Sequence, residues 1–126
     1  MAFDSFIVMY QSIQTHVRSS WYALIQASSK RDGISLGYLY SAAVTRYLID
    51  FPSGEPSHVA LSAVFEAPYH GADRKKISVT VFQKVYKQVV ELAKTHGTTN
   101  SAVVFTAIKR YLVVPEMTRI ELSKKK

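Results

Sequence analysis

Residues 13–48 overlay residues 77–112 without a gap, at an offset of 64. Ile13 falls on Ile77, Val17 on Val81, Tyr22 on Tyr86, Lys30 on Lys94, Gly33 on Gly97 and Ala43 on Ala107. Arg46-Tyr47-Leu48 falls on Arg110-Tyr111-Leu112, which brings the total to nine identities in 36 positions. Ile25 with Val89 and Val44 with Ile108 add conservative pairs. A repeat of this kind marks a supersecondary unit that cannot bury its apolar face alone and needs a neighbour of its own kind. The chain is therefore expected to fold as two copies of one small unit.

The second copy shows its elements most clearly. Lys76-Ile77-Ser78-Val79-Thr80-Val81 alternates polar and apolar residues and is rich in β-branched side chains. This predicts a strand with Ile77, Val79 and Val81 on one face and Lys76, Ser78 and Thr80 on the other. From Gln83 to His96 the period changes, and Val85, Val89, Leu92 and Ala93 recur at helical spacing. Gly97 suits the left-handed residue that closes a helix, and Thr98-Thr99-Asn100-Ser101 supplies the chemistry that starts one. A second apolar helix is predicted from about Ser101 to Leu112, with Pro115 barring it from going much further. In the first copy the strand is Ser12 to Arg18, with Ile13, Thr15 and Val17 inward. Ser19 or Ser20 is expected to cap a helix carrying Trp21, Leu24 and Ile25, and a second helix spans Gly37 to Leu48. The expected core is Ile13, Val17, Ile25, Val44, Ile77, Val79, Val81, Val89, Leu92, Ala107 and Ile108.

Proline and glycine mark the boundary between the copies. Phe51-Pro52-Ser53-Gly54-Glu55-Pro56-Ser57 and Ala67-Pro68-Tyr69-His70-Gly71-Ala72-Asp73 are both turn-forming. The apolar run between them, Val59 to Phe65, reads equally as a short strand or a helical turn. The predicted layout is a first unit over 1–50, a connector over 51–73, a second unit over 74–114 and a basic C-terminal tail over 115–126. The total of 126 residues is one domain's worth. No stretch is apolar enough for a membrane span. Met1-Ala2-Phe3-Asp4 lacks the basic start of a secretory signal, and the absence of cysteine removes disulfides and thiolate-bound zinc. A cytoplasmic location is expected, nucleoid-associated or in a host cell.

The net charge is +7, and twelve of the sixteen Lys and Arg residues lie beyond residue 73. Such a balance suits a nucleic-acid or other acidic partner. The four histidines, at 16, 58, 70 and 96, have no metal-ligand spacing. No nucleophile elbow or phosphate-cradling loop is present, so an enzyme is not expected, nor is a metal or cofactor. Trp21, Tyr22, Tyr47 and Tyr111 sit at helical spacing and read as packing rather than base-stacking residues.

The segment from Lys76 to Tyr86, then Glu91 to Val104, then Ala107 to Tyr111, closely resembles the ribbon-helix-helix family of DNA-binding proteins, the Arc and methionine-repressor type. The likeness spans about 37 residues of the second copy and rests on the alternating strand, Gly97, the Ser/Thr/Asn helix start and Ala107. His16 and Arg18 depart from the family's usual Thr-like residue and Ser or Pro, and Phe82 also occupies the pre-helix position. Two copies in one chain resemble the tandem members of the family. The resemblance implies a mainly helical α+β fold. Two units would form an intramolecular pseudo-dimer, with a two-stranded antiparallel ribbon over four helices. A homodimer pairing identical units is the other arrangement, and higher assembly on DNA is compatible with both. In such a fold the outward side chains of the ribbon face base edges in the major groove. Here these are Lys76, Ser78 and Thr80, and Ser12, Gln14 and His16. Thr99, Asn100, Ser101 and Ser35 at helix starts are the expected phosphate contacts, joined by Arg74, Lys75 and Arg18.

The expected function is sequence-specific binding of double-stranded DNA by a transcriptional regulator, typically a repressor, of viral, plasmid or prokaryotic type. A plasmid relaxosome or maintenance accessory protein is the near alternative. An antitoxin-like protein-interaction module is the distant one, weakened by the short stretch after the last predicted helix, Val113 to Lys126.

Overall fold

Alternation between inward and outward side chains runs further than the sequence reading placed it. The strands β1 (Tyr10–Arg18) and β2 (Arg74–Phe82) have nine residues each and pair antiparallel. Ile13, Thr15, Val17, Ile77, Val79 and Val81 are all buried on one face of this two-stranded sheet. The computed structural model describes residues 9–50 and 65–124. The run after His58 as far as residue 64, with most of the connector, and Lys125-Lys126 lie outside the described residues. After β1 come α1 (Ser19–Asp32) and α2 (Leu36–Asp50). After β2 come α3 (Gln83–Thr95) and α4 (Asn100–Ile108), then a π-helical stretch (Lys109–Val113) and α5 (Val114–Lys124). The fold is α+β and mainly helical.

The offset of 64 governs the structure as well as the sequence: Tyr10 and Arg74 open the strands, Ser19 and Gln83 the first helices, Leu36 and Asn100 the second. The register sets Gln14 opposite Ser78, its own counterpart in the repeat. Both pairing strands belong to the same chain. Gly33 (φ 66°) and Gly97 (φ 62°) are the only positive-φ residues among those described. Each turns the chain from the first helix of its half towards the second, in a conformation that costs other L-residues roughly 1–2 kcal/mol.

Neither first helix takes a side-chain cap. Arg18 and Phe82 stand at the N-cap positions without capping bonds, and Ser19, expected as a cap, is already the first helical residue. The ribbon takes up the first amide of each helix. Ser19 N–H donates to Asp73 O at 3.0 Å and Gln83 N–H to Met9 O at 2.7 Å, so each strand's lead-in residue receives the first amide of the other half's helix. These bonds continue the antiparallel register beyond the ladder and satisfy the first of the free amides at each helix start.

The halves interlock. α2 packs against β2 and α4 against β1, with α2 and α4 in mutual contact. Each second helix thus covers the strand of the other half. The core combines both: Val17, Val44, Tyr47, Val79, Val89, Val103 and Ile108 are fully buried, and all eleven residues expected inside are buried. Thr15, completely buried, donates its hydroxyl to Ser101 O at 3.1 Å, tying β1 to the first turn of α4.

The expected stop near Leu112 is corrected. The chain stays helical to Lys124, and the segment read as a tail is α5 for most of its length. The reason lies in the π stretch. Val114 N–H reaches back five residues to Lys109 O, so the widened turn delivers Pro115 as the second residue of α5. A proline is tolerated in a first turn, where its missing N–H breaks no regular ladder.

Candidate functional site

The outward side chains of the ribbon form five cross-strand pairs. In order they are Tyr10–Phe82, Ser12–Thr80, Gln14–Ser78, His16–Lys76 and Arg18–Arg74. All ten lie opposite the buried face, exposed except for half-buried His16. The six residues expected to face bases are therefore brought together on one surface. Ser12 and Thr80 share a hydroxyl–hydroxyl bond of 3.1 Å across the strands. Among the described residues Lys76 has no carboxylate within ion-pair distance.

Charge is graded along this surface. Arg18, Arg74 and Lys76 gather at one end, hydroxyls and an amide fill the middle, and two aromatic rings close the other end. The gradient differs from a simple division between the strands, because Gln14 and Ser78 sit together at the centre rather than on opposite sides. Tyr69 braces the basic end. Its N–H donates to His16 O at 3.1 Å, its hydroxyl donates to Asp73, and the Arg18 guanidinium lies 4.5 Å from its ring centroid. Stacking occupies a guanidinium face and leaves the N–H edges available, so it orients Arg18 without consuming its donors. Asp73 raises the Tyr69 hydroxyl pKa chiefly by that hydrogen bond.

Lys75 is placed differently from its expected role beside Arg74. It belongs to β2, and alternation turns it to the helix side of the ribbon, with its ammonium 5.0 Å from the Tyr22 ring centroid. The two residues are neighbours in sequence, but strand alternation separates them onto opposite faces.

Ser35 and Thr99, repeat counterparts, both act as helix caps. Ser35 Oγ accepts from Tyr38 N–H at 3.2 Å and Thr99 Oγ1 from Ala102 N–H at 3.1 Å. Each hydroxyl keeps its own proton to donate. Asn100 and Ser101 begin α4, where the first amides have no carbonyl partner inside the helix. The Thr15 bond holds this turn beside β1.

Other basic residues are engaged in structural pairs. Arg31 grips Glu116 with two bonds, 2.6 and 3.3 Å, and Arg119 reaches the same carboxylate at 2.9 Å. The bond from Arg31, then that from Arg119, lowers the Glu116 pKa. Lys109 pairs with Glu66 at 2.6 Å. Sequence reasoning missed Tyr10, Phe82 and Tyr69. The first two break the polar–apolar alternation, because Gln11 is polar on the inward side and Tyr10 and Phe82 are aromatic on the outward side, so the pattern stops short of both strand ends. Tyr69 carries no local signal, because its place depends on the strands being paired.

Among the described residues no helix is long and apolar enough to cross a membrane, and no group of three or more His, Asp or Glu is placed to hold a metal. No protein-family model, curated protein or solved structure matches the chain.

Proposed function

We propose that the chain is a tandem ribbon-helix-helix protein that binds double-stranded DNA sequence-specifically, with its two halves forming a pseudo-dimer within one molecule. The carrying observation is the register. Gln14 faces its repeat counterpart Ser78, as a two-fold ribbon requires, and this puts every outward polar residue on one exposed face. A two-stranded ribbon fits the major groove. Lys76 suits guanine O6 and N7, Gln14 suits adenine, and the hydroxyls of Ser12, Ser78 and Thr80 donate or accept. Arg18, Arg74 and the starts of α2 and α4 take phosphates, which position the ribbon without reading sequence. Promoter occupancy by a repressor is the role this surface serves best. An accessory protein at a plasmid transfer site would use the same contacts.

The test is duplex binding followed across a salt series. Log affinity should fall linearly with log salt, with a slope of about −0.9 per phosphate neutralised. Arg74→Ala should make that slope shallower by roughly one phosphate, whereas Lys76→Ala should relax base preference at one position by about 1–3 kcal/mol. Absence of duplex binding at low salt, or binding indifferent to salt, overturns the reading.

A further inference from the structure

The ends of the ribbon break its own symmetry. The repeat counterpart of Arg18 is Phe82, and that of Arg74 is Tyr10. Where one end carries two guanidiniums, the other carries two rings, stacked with centroids 4.9 Å apart and planes at 27°. They are among the exposed large hydrophobics of the described residues, at 46% for Tyr10 and 52% for Phe82. Cross-strand aromatic pairs do stabilise ribbons, but that role needs no particular exposure and no place in the polar row. These rings are on the same face as Ser12, Gln14 and Lys76, one step beyond Ser12–Thr80.

The pair itself makes a poor phosphate clamp, because an aromatic face is electron-rich and Tyr10 offers a single hydroxyl. The thymine C5-methyl is the apolar group that the major groove presents, and apolar side chains pair with it. That methyl lies at the wall of the groove beside the sugar-phosphate backbone. The ribbon ends lie about 13 Å from the Gln14–Ser78 centre, four residues at about 3.3 Å each. Their reach is therefore towards the groove wall rather than its floor.

Resting on the DNA-binding reading above, we propose that the Tyr10–Phe82 pair is a specificity-determining contact for thymine methyl groups. The bound site is then oriented, with thymines under the aromatic end and guanine under the Lys76 end. The preference is set along the ribbon axis, so one molecule reads a non-palindromic sequence in one direction.

The probe is deoxyuridine, which differs from thymidine by the methyl alone. A preferred duplex is first selected from a random pool, and each thymidine is then replaced singly by dU. The wild-type protein should lose about fourfold in affinity for each contacted methyl, the equivalent of one buried carbon. These positions should cluster at the end away from the guanine sensed by Lys76. Tyr10→Ala with Phe82→Ala should bind the dU and dT duplexes equally. Tyr10→Arg with Phe82→Arg restores an arginine end, and is the second variant should the alanine pair weaken the ribbon. It too should lose dU sensitivity while its salt slope steepens by about two phosphates. Indifference of the tightly bound wild type to every dU substitution overturns the proposal. So does unchanged dU sensitivity in both double variants, including the case where they alter only self-association in sedimentation. Failure of the wild type to bind any duplex, or a preference for single strands, instead removes the DNA-duplex reading on which the proposal rests.

Discussion

Tyr40 shows how a single atom can be out of keeping with its surroundings. Its ring is buried, its hydroxyl has no hydrogen-bond partner among the described residues, and its repeat counterpart is Val104. A buried polar group left unpaired costs free energy that an apolar residue of the same shape does not. Tyr40→Phe should therefore raise stability by about 1 kcal/mol in chemical denaturation. The same burial pushes the Tyr40 and Tyr47 hydroxyls up to about 12 from 10.0. The sign follows from which state holds its proton longer. Stability from the neutral rings is complete below pH about 10, where unfolded tyrosine is also protonated, and is lost as pH rises towards about 12. Alkaline unfolding should fall in that window, and Tyr40→Phe should make it less steep. Unchanged alkaline unfolding in that variant would separate Tyr40 from the effect.

At the scale of elements, one carboxylate ties α5 to α1. Glu116 is 6% exposed and meets Arg31 from α1 and Arg119 from its own helix. Glu116→Gln keeps the shape and removes the charge, so residues 114–124 should exchange amide hydrogens faster while the ribbon keeps its protection. The folded Glu116 pKa lies below its ordinary 4.5. Its contribution is therefore complete above pH about 4.5 and fades as pH falls through the lowered value, which exchange at several acidic pH values measures. Equal exchange in variant and wild type would show that packing alone retains α5. This helix was the least legible element. Pro115 reads as a stop in any local analysis, and the π turn before it lets the helix continue. The strands, both helix pairs and the glycine turns were legible because each is fixed by a local period or a backbone requirement, and the repeat supplied each reading twice. The partners of the first amides of α1 and α3 were not, since Asp73 and Met9 accept them from the opposite half. The polar face of the ribbon was readable from alternation. Its gradient was not, because the order of pairs depends on register, and register places Arg18 beside Arg74 rather than beside Tyr10.

For the whole molecule, interlocking is the central physical fact. A strand with two short helices leaves its apolar face uncovered, and here each half supplies the helix that covers the other's strand. The repeat is nonetheless unequal on its outside. Tyr38 and Ile49 of α2 are each 65% exposed, whereas their counterparts Ala102 and Val113 are buried, in a half that carries Glu66 on Thr106 and α5 against α1. With both strands in one chain the two are free to differ, so the outward face of the ribbon need not be two-fold symmetric, and one chain holds a complete ribbon. Stoichiometry on DNA tests that claim most directly. The mass of the complex with a minimal selected duplex, measured by native mass spectrometry, should correspond to one 14.2 kDa chain per duplex. Two chains obligatorily bound to each minimal site, joined through identical strands over a palindrome, would contradict it.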